Sequence, residues 1–109
     1  MKTKEKFESR GVVLGNLWGG GTGAYKAKTL KADTKEELIK QATEKLNDGS
    51  LDGGMGFESL IGAILDVETI ETVEVNGKSF THSEIEIEFL GDLTEEEQDF
   101  LIEAQMNIN

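Results

Sequence analysis

Between Glu84 and Phe89 the chain reads Glu-Ile-Glu-Ile-Glu-Phe, a strict alternation of polar and apolar positions. A period of two predicts a strand with Ile85, Ile87 and Phe89 on a buried face and Glu84, Glu86 and Glu88 on the other. Asn76-Gly77, just upstream, is a strong hairpin cue because both turn positions need positive φ. The hairpin arms are predicted over 67–75 and from 78 to about 90, with a break near Thr81–Ser83. A second strand is predicted from Arg10 to Leu17, short and β-branched, with Ala24–Ala32 as its hairpin partner.

Two stretches follow a helical period instead. Thr34 and Glu37 have the spacing of a capping box. Leu38, Ile39, Ala42 and Leu46 then fall on one face, and Gly49 is placed to end the helix. Thr94 and Glu97 repeat the capping pattern ahead of Phe100, Leu101 and Ala104. Phe57, Leu60, Ile61, Ile64 and Leu65, at i, i+3, i+4, i+7 and i+8, predict a short amphipathic helix between them. Gly62 weakens that helix by roughly 1 kcal/mol relative to Ala unless close packing needs the missing side chain. The predicted fold class is α+β: an antiparallel sheet of about four strands in two hairpins, with helices packed on one face, in the order ββα-α-ββα. Residues 1–109 form a single domain by length, and 1–9 are expected as a flexible polar arm.

Composition narrows the chemistry. The chain has no cysteine and no proline, which excludes a disulfide scaffold and a cysteine-based zinc site. No apolar run approaches the roughly 18 residues of a membrane span. The basic start, MKTKEKFESR, is followed by an apolar stretch too short for a secretory leader. A soluble cytoplasmic protein is the simplest expectation. Net charge is −11, very unevenly spread. Residues 1–45 carry ten basic and six acidic side chains, a net of +4, whereas 46–109 carry one basic and sixteen acidic, a net of −15. A half-chain this one-sided repels itself and attracts a basic partner.

Candidate sites divide into glycine loops and carboxylate rows. Gly19-Gly20-Gly21-Thr22-Gly23-Ala24 satisfies G-x-G-x-x-A, but that fingerprint works only where a helix starts at the loop. The next residues read as a strand, so the loop is expected to be a mobile hairpin turn. Trp18 and Tyr25 flank it, either packed across the hairpin or serving as interface anchors. Asp48, Asp52 and Glu58 around the second glycine-rich loop do not match a calcium-binding loop. His82 lies between Thr81 and Ser83 without the partners of a triad. With no nucleophile–base pair, metal set or cofactor box, neither an enzyme nor a bound metal or cofactor is expected.

Glu84, Glu86 and Glu88 recur at about 6.6–6.8 Å along one strand face. Glu96, Asp99 and Glu103 recur at i, i+3 and i+7 along one helix face. Glu68, Glu71, Glu74 and Asp92 add to the same half. Like charges at such spacings cost roughly 0.2–0.5 kcal/mol per pair, so an uninterrupted acidic field is not what stability alone selects. The partner-binding set read from this pattern is Glu71, Glu74, Glu84, Glu86, Glu88, Asp92, Glu96, Asp99 and Glu103.

In size and charge character the chain resembles the small acidic proteins by which phages and mobile elements block bacterial defence, notably anti-CRISPR proteins. Such inhibitors share no common motif, so no residue role carries over. The resemblance implies a non-enzymatic inhibitor whose carboxylates mimic nucleic-acid phosphates. Its partner would be a basic nucleic-acid-handling protein such as a CRISPR-Cas nuclease, with no direct contact to nucleic acid or membrane. Two alternatives stand beside it. One is a sequestering protein for a small nucleotide signal, using Trp18, Gly19, Gly20, Gly21, Gly23 and Tyr25, with Lys26 and Lys28 on phosphate. The other is a homo-oligomeric structural or regulatory phage protein, which needs exposed apolar residues on one sheet face.

Overall fold

Asn76 and Gly77 reverse the chain with φ of 52° and 78°. They join β4 (Phe57–Val75) to β5 (Lys78–Gly91) in an antiparallel ladder that runs without a register shift from Val75↔Lys78 to Gly62↔Gly91. The break predicted near Thr81–Ser83 is absent. β1 (Lys2–Leu17) pairs with the other side of β4, from Lys2↔Glu74 to Leu17↔Phe57. Along the outer side of β1 lie β2 (Thr22–Lys26), beside Val12–Asn16, and β3 (Leu30–Ala32), beside Phe7–Ser9. α1 (Lys35–Asp48) follows β3, and α2 (Glu95–Ile108) follows β5. The computed structural model describes residues 2–54 and 56–108. The fold is α+β, a five-stranded antiparallel sheet with two helices.

Neighbouring residues on a strand point to opposite faces, and here both faces are covered near the middle of the sheet. Val13, Ala63, Leu65 and Val67 pack with Leu38, Ala42 and Leu46 of α1. Val12, Leu14 and Ile64 point the other way and pack with Leu101 and Ala104 of α2. The helices therefore lie on opposite faces, not together on one face as the pattern predicts. The same fact corrects the helix predicted over Phe57–Leu65. This segment is the first half of β4; where it runs under both helices, at Gly62–Leu65, successive residues on both faces are buried, so apolar residues crowd together and their spacing mimics a helical period. Gly62 is there for close approach: a Cβ on it would sit 2.5 Å from the Leu90 carbonyl oxygen.

Two further boundaries move. Residues 2–9 are not a free polar arm but the first half of β1, paired with 67–74 of β4; residue 1 of that predicted arm lies outside the described residues. The strand predicted over Ala24–Ala32 is interrupted at 27–29. There the Ala27 N–H donates to the Gly11 carbonyl and the Lys28 N–H to the Leu51 carbonyl. The capped helix starts agree with the pattern. Thr34 Oγ1 accepts from the Glu37 N–H at 3.1 Å. Thr94 Oγ1 accepts from the Glu97 N–H at 3.2 Å while Glu97 Oε1 accepts from the Thr94 N–H at 2.9 Å, closing the second box in both directions.

Reach decides what is covered. Each helix has 14 residues, about 21 Å of axis, whereas the 19 residues of β4 extend about 60 Å. The molecule is accordingly long and narrow, 59 × 24 × 20 Å. The paired stretches 2–6, 70–75 and 78–83 form a three-stranded projection beyond the main hydrophobic clusters.

Candidate interaction surfaces

The strand row of carboxylates lies on the α1 side of the sheet, because Glu84, Glu86 and Glu88 share their face with Leu90, which packs in the α1 core. Lys35 reaches across to this row. Its Nζ is 2.8 Å from Glu88 Oε1 and donates a hydrogen bond to Glu86 Oε2. The hydrogen bond to Glu86, then that to Glu88, pushes the Lys35 amine up to about 12. Lys35 stands in the first turn of α1, where the helix dipole disfavours a cation. The two glutamates are the compensating partners. Among the described residues Glu84 pairs with no lysine; His82 Nε2 lies 3.3 Å from Glu84 Oε1. Glu71, half-buried, stands opposite His82 on the same face, whereas Glu74 stands opposite Ser79 on the other face.

The helical row is separate. Glu96, Asp99 and Glu103 are exposed on α2, which packs against the face remote from α1, and Asp92 is exposed in the link before it. The structure thus does not gather the nine carboxylates into one surface; the sheet divides them. The two groups also differ electrostatically. Among the described residues, no carboxylate from Asp92 to Glu103 forms an ion pair, while Glu86 and Glu88 share Lys35. Glu95, Glu96 and Glu97 occupy the first turn of α2, where negative charge favours the helix dipole. Asp99 and Glu103 lie beyond that turn and gain little from it.

The apolar partner of the strand row is where the sequence pattern misleads most. The alternation predicts Ile85, Ile87 and Phe89 buried, yet they are 62%, 57% and 36% exposed. α2 packs chiefly over β1, β4 and β2 and leaves these three side chains of β5 open to solvent. Its inward side is narrow, with Leu101 fully buried while Phe100 and Ile102 remain more than a third exposed. That narrowness is the one sequence signal that points to an uncovered strand.

The glycine loop is a tight turn. The Gly20 N–H donates to the Leu17 carbonyl and the Leu17 N–H to the Gly21 carbonyl. Gly19, Gly20 and Gly21 all have positive φ, of 93°, 105° and 83°, which side-chain-bearing residues rarely adopt. Residues 22–26 form β2 rather than a helix, so the fingerprint lacks the N–H groups that meet a pyrophosphate. Gly23 lies against Leu17. Tyr25 is partly exposed, and Trp18 is 71% exposed. Trp18 does not pack across the hairpin.

The other candidates take structural roles. Asp48 Oδ1 accepts from both the hydroxyl and the N–H of Ser50, and these two bonds hold its carboxyl below the ordinary aspartate range. Asp52 is buried and accepts from the Gly54 N–H at 3.0 Å. Among the described residues no group of three or more His, Asp or Glu side chains is gathered closely enough to hold a metal ion. No described helix is long and apolar enough to cross a membrane. No protein-family model matches the chain, and no curated protein or solved structure matches it at a significant level.

Proposed function

We propose that this protein is a non-enzymatic inhibitor that binds a basic nucleic-acid-handling protein, of which a CRISPR-Cas nuclease is the concrete case, and covers its nucleic-acid site inside a bacterial cell. The observation that carries this reading is the unpaired carboxylate stripe of Asp92, Glu96, Asp99 and Glu103. A rigid helix holds Glu96, Asp99 and Glu103 about 4.5–6 Å apart along its axis, with Asp92 just before its start, and among the described residues no cation of this chain is paired to any of them. Lysine and arginine side chains that bind phosphates release counterions and give steep salt dependence; the stripe offers the same side chains an alternative anion. The nucleotide-sequestering alternative is less well supported, because the loop at Gly19–Gly23 leads into a strand.

The test is displacement of labelled single-stranded DNA from a CRISPR-Cas nuclease across a range of salt concentrations. The native chain is expected to displace the DNA at low salt and progressively less at high salt. The E96K/D99K/E103K variant is expected to lose displacement while keeping its circular dichroism spectrum. Equal displacement by both proteins would refute the electrostatic reading.

A further inference from the structure

β5 is the last strand of the sheet, paired with β4 on one side and, among the described residues, with no strand on the other. A free edge presents unpaired N–H and C=O groups and is a template for another strand; natural edges are blunted with charges, proline or bulges. β5 has no proline, and its ladder to β4 has no bulge. It is charged on one face only. Glu84, Glu86 and Glu88 line the α1 side, while Ile85, Ile87 and Phe89 stand exposed on the other.

We propose that this edge receives an extended segment of the partner by strand addition, a segment in which lysine or arginine alternates with aliphatic residues. The proposal rests on the reading above that the partner is basic. Side chains of an added strand alternate between faces, so its cations meet the glutamate row while its aliphatic residues extend the row of Ile85, Ile87 and Phe89. In this mode main-chain hydrogen bonds supply affinity and alternate side chains supply specificity. Glu84, which pairs with no lysine among the described residues, is where an incoming cation meets least competition.

A second copy of the chain fits this edge less well. In an antiparallel pairing of two β5 strands, the register that sets Ile85 opposite Ile87 also sets Glu86 opposite itself and Glu84 opposite Glu88. Directly opposed like charges destabilise a sheet. The register that sets Glu88 opposite Lys78 instead places Ile85 opposite Thr81 and Ile87 opposite Ser79. Each register satisfies one face at the expense of the other, whereas an alternating cationic and aliphatic strand satisfies both.

The experiment titrates the intact protein with blocked octapeptides: alternating lysine and valine, the same residues as two blocks, and alternating glutamate and valine. The alternating lysine peptide is expected to bind about tenfold more tightly than the block peptide, with the glutamate peptide weakest. I87K is expected to weaken it by about tenfold, and I87T, which keeps a β-branched residue, by less. E96K/D99K/E103K, the variant that tests the helical stripe, is expected to leave peptide binding unchanged, so the two readings fail separately. Equal affinity for the two lysine peptides overturns strand addition. So does peptide binding that I87K spares or that the α2 variant abolishes. A free chain that sediments as a dimer, and as a monomer after I87K, assigns the edge to a second copy and also overturns the proposal.

Discussion

Ala63-Ile64-Leu65 and Ile85-Glu86-Ile87 lie in adjacent strands of one sheet, yet the first triplet is wholly buried and the isoleucines of the second are more than half exposed. The difference lies in cover, not in pattern. Alternation fixes which way a side chain points; whether that side is dry depends on how far a helix reaches. α1 and α2 clamp β1 and β4 from opposite sides, so Gly11–Leu14 and Gly62–Leu65 are inside. On β5, Lys35 reaches the carboxylates of the α1 side, and Ile85, Ile87 and Phe89 on the other side are left exposed. A strand whose sequence looks half-buried is therefore an exposed edge.

The sharpest way to break this contrast is to truncate the two isoleucines. Ile64→Ala is expected to cost about 2–5 kcal/mol, as for other fully buried aliphatic residues, and Ile87→Ala to stay within about 0.5 kcal/mol, as for surface sites. Denaturant unfolding with unchanged m-values measures both, and similar losses would mean that β5 is covered after all. Gly62→Ala comes next. It brings a methyl group against the Leu90 carbonyl and Leu93 and is expected to cost about 1–3 kcal/mol through overpacking. Thr94→Ala removes one side of the reciprocal cap of α2 and is expected to cost about 1 kcal/mol. The same unfolding curves report both.

The smallest effect is predicted for Lys35→Met, because exposed ion pairs contribute little and are screened by salt. Its pH dependence has a definite sign. The Lys35 amine is raised from 10.5 to about 12 in the folded protein, so its stabilising contribution is complete below 10.5 and is lost as pH rises through about 12. The stability difference between native and Lys35→Met proteins should therefore stay constant from pH 7 to 9. A difference that fades within that interval would contradict the pairing with Glu86 and Glu88.

What was legible in the sequence was local. Asn76-Gly77, the two Thr/Glu caps and the stop at Gly49 each depend on a few neighbouring residues, and each stands where the pattern predicts. What was not legible depends on contacts between distant segments. Residues 57–65 resemble a helix because both sides of a clamped strand are apolar. Residues 2–9 resemble a loose arm, since nothing nearby shows that 67–74 will pair with them. The acidic rows were visible as spacing, but their division by the sheet follows from the helices taking opposite faces. The exposure of Ile85, Ile87 and Phe89 follows from how little of β5 is covered by α2.

Amide hydrogen exchange on the free chain at micromolar concentration tests most directly whether the molecule has a clamped centre and an open edge. The slowest exchange is expected at 12–14 and 63–65. Along 79–88 alternating slow and fast amides are expected, since in an antiparallel edge strand alternate N–H groups bond to the neighbour and the rest face solvent. Uniform protection along 79–88, matching that of 63–65, would show the edge already occupied and would contradict the account.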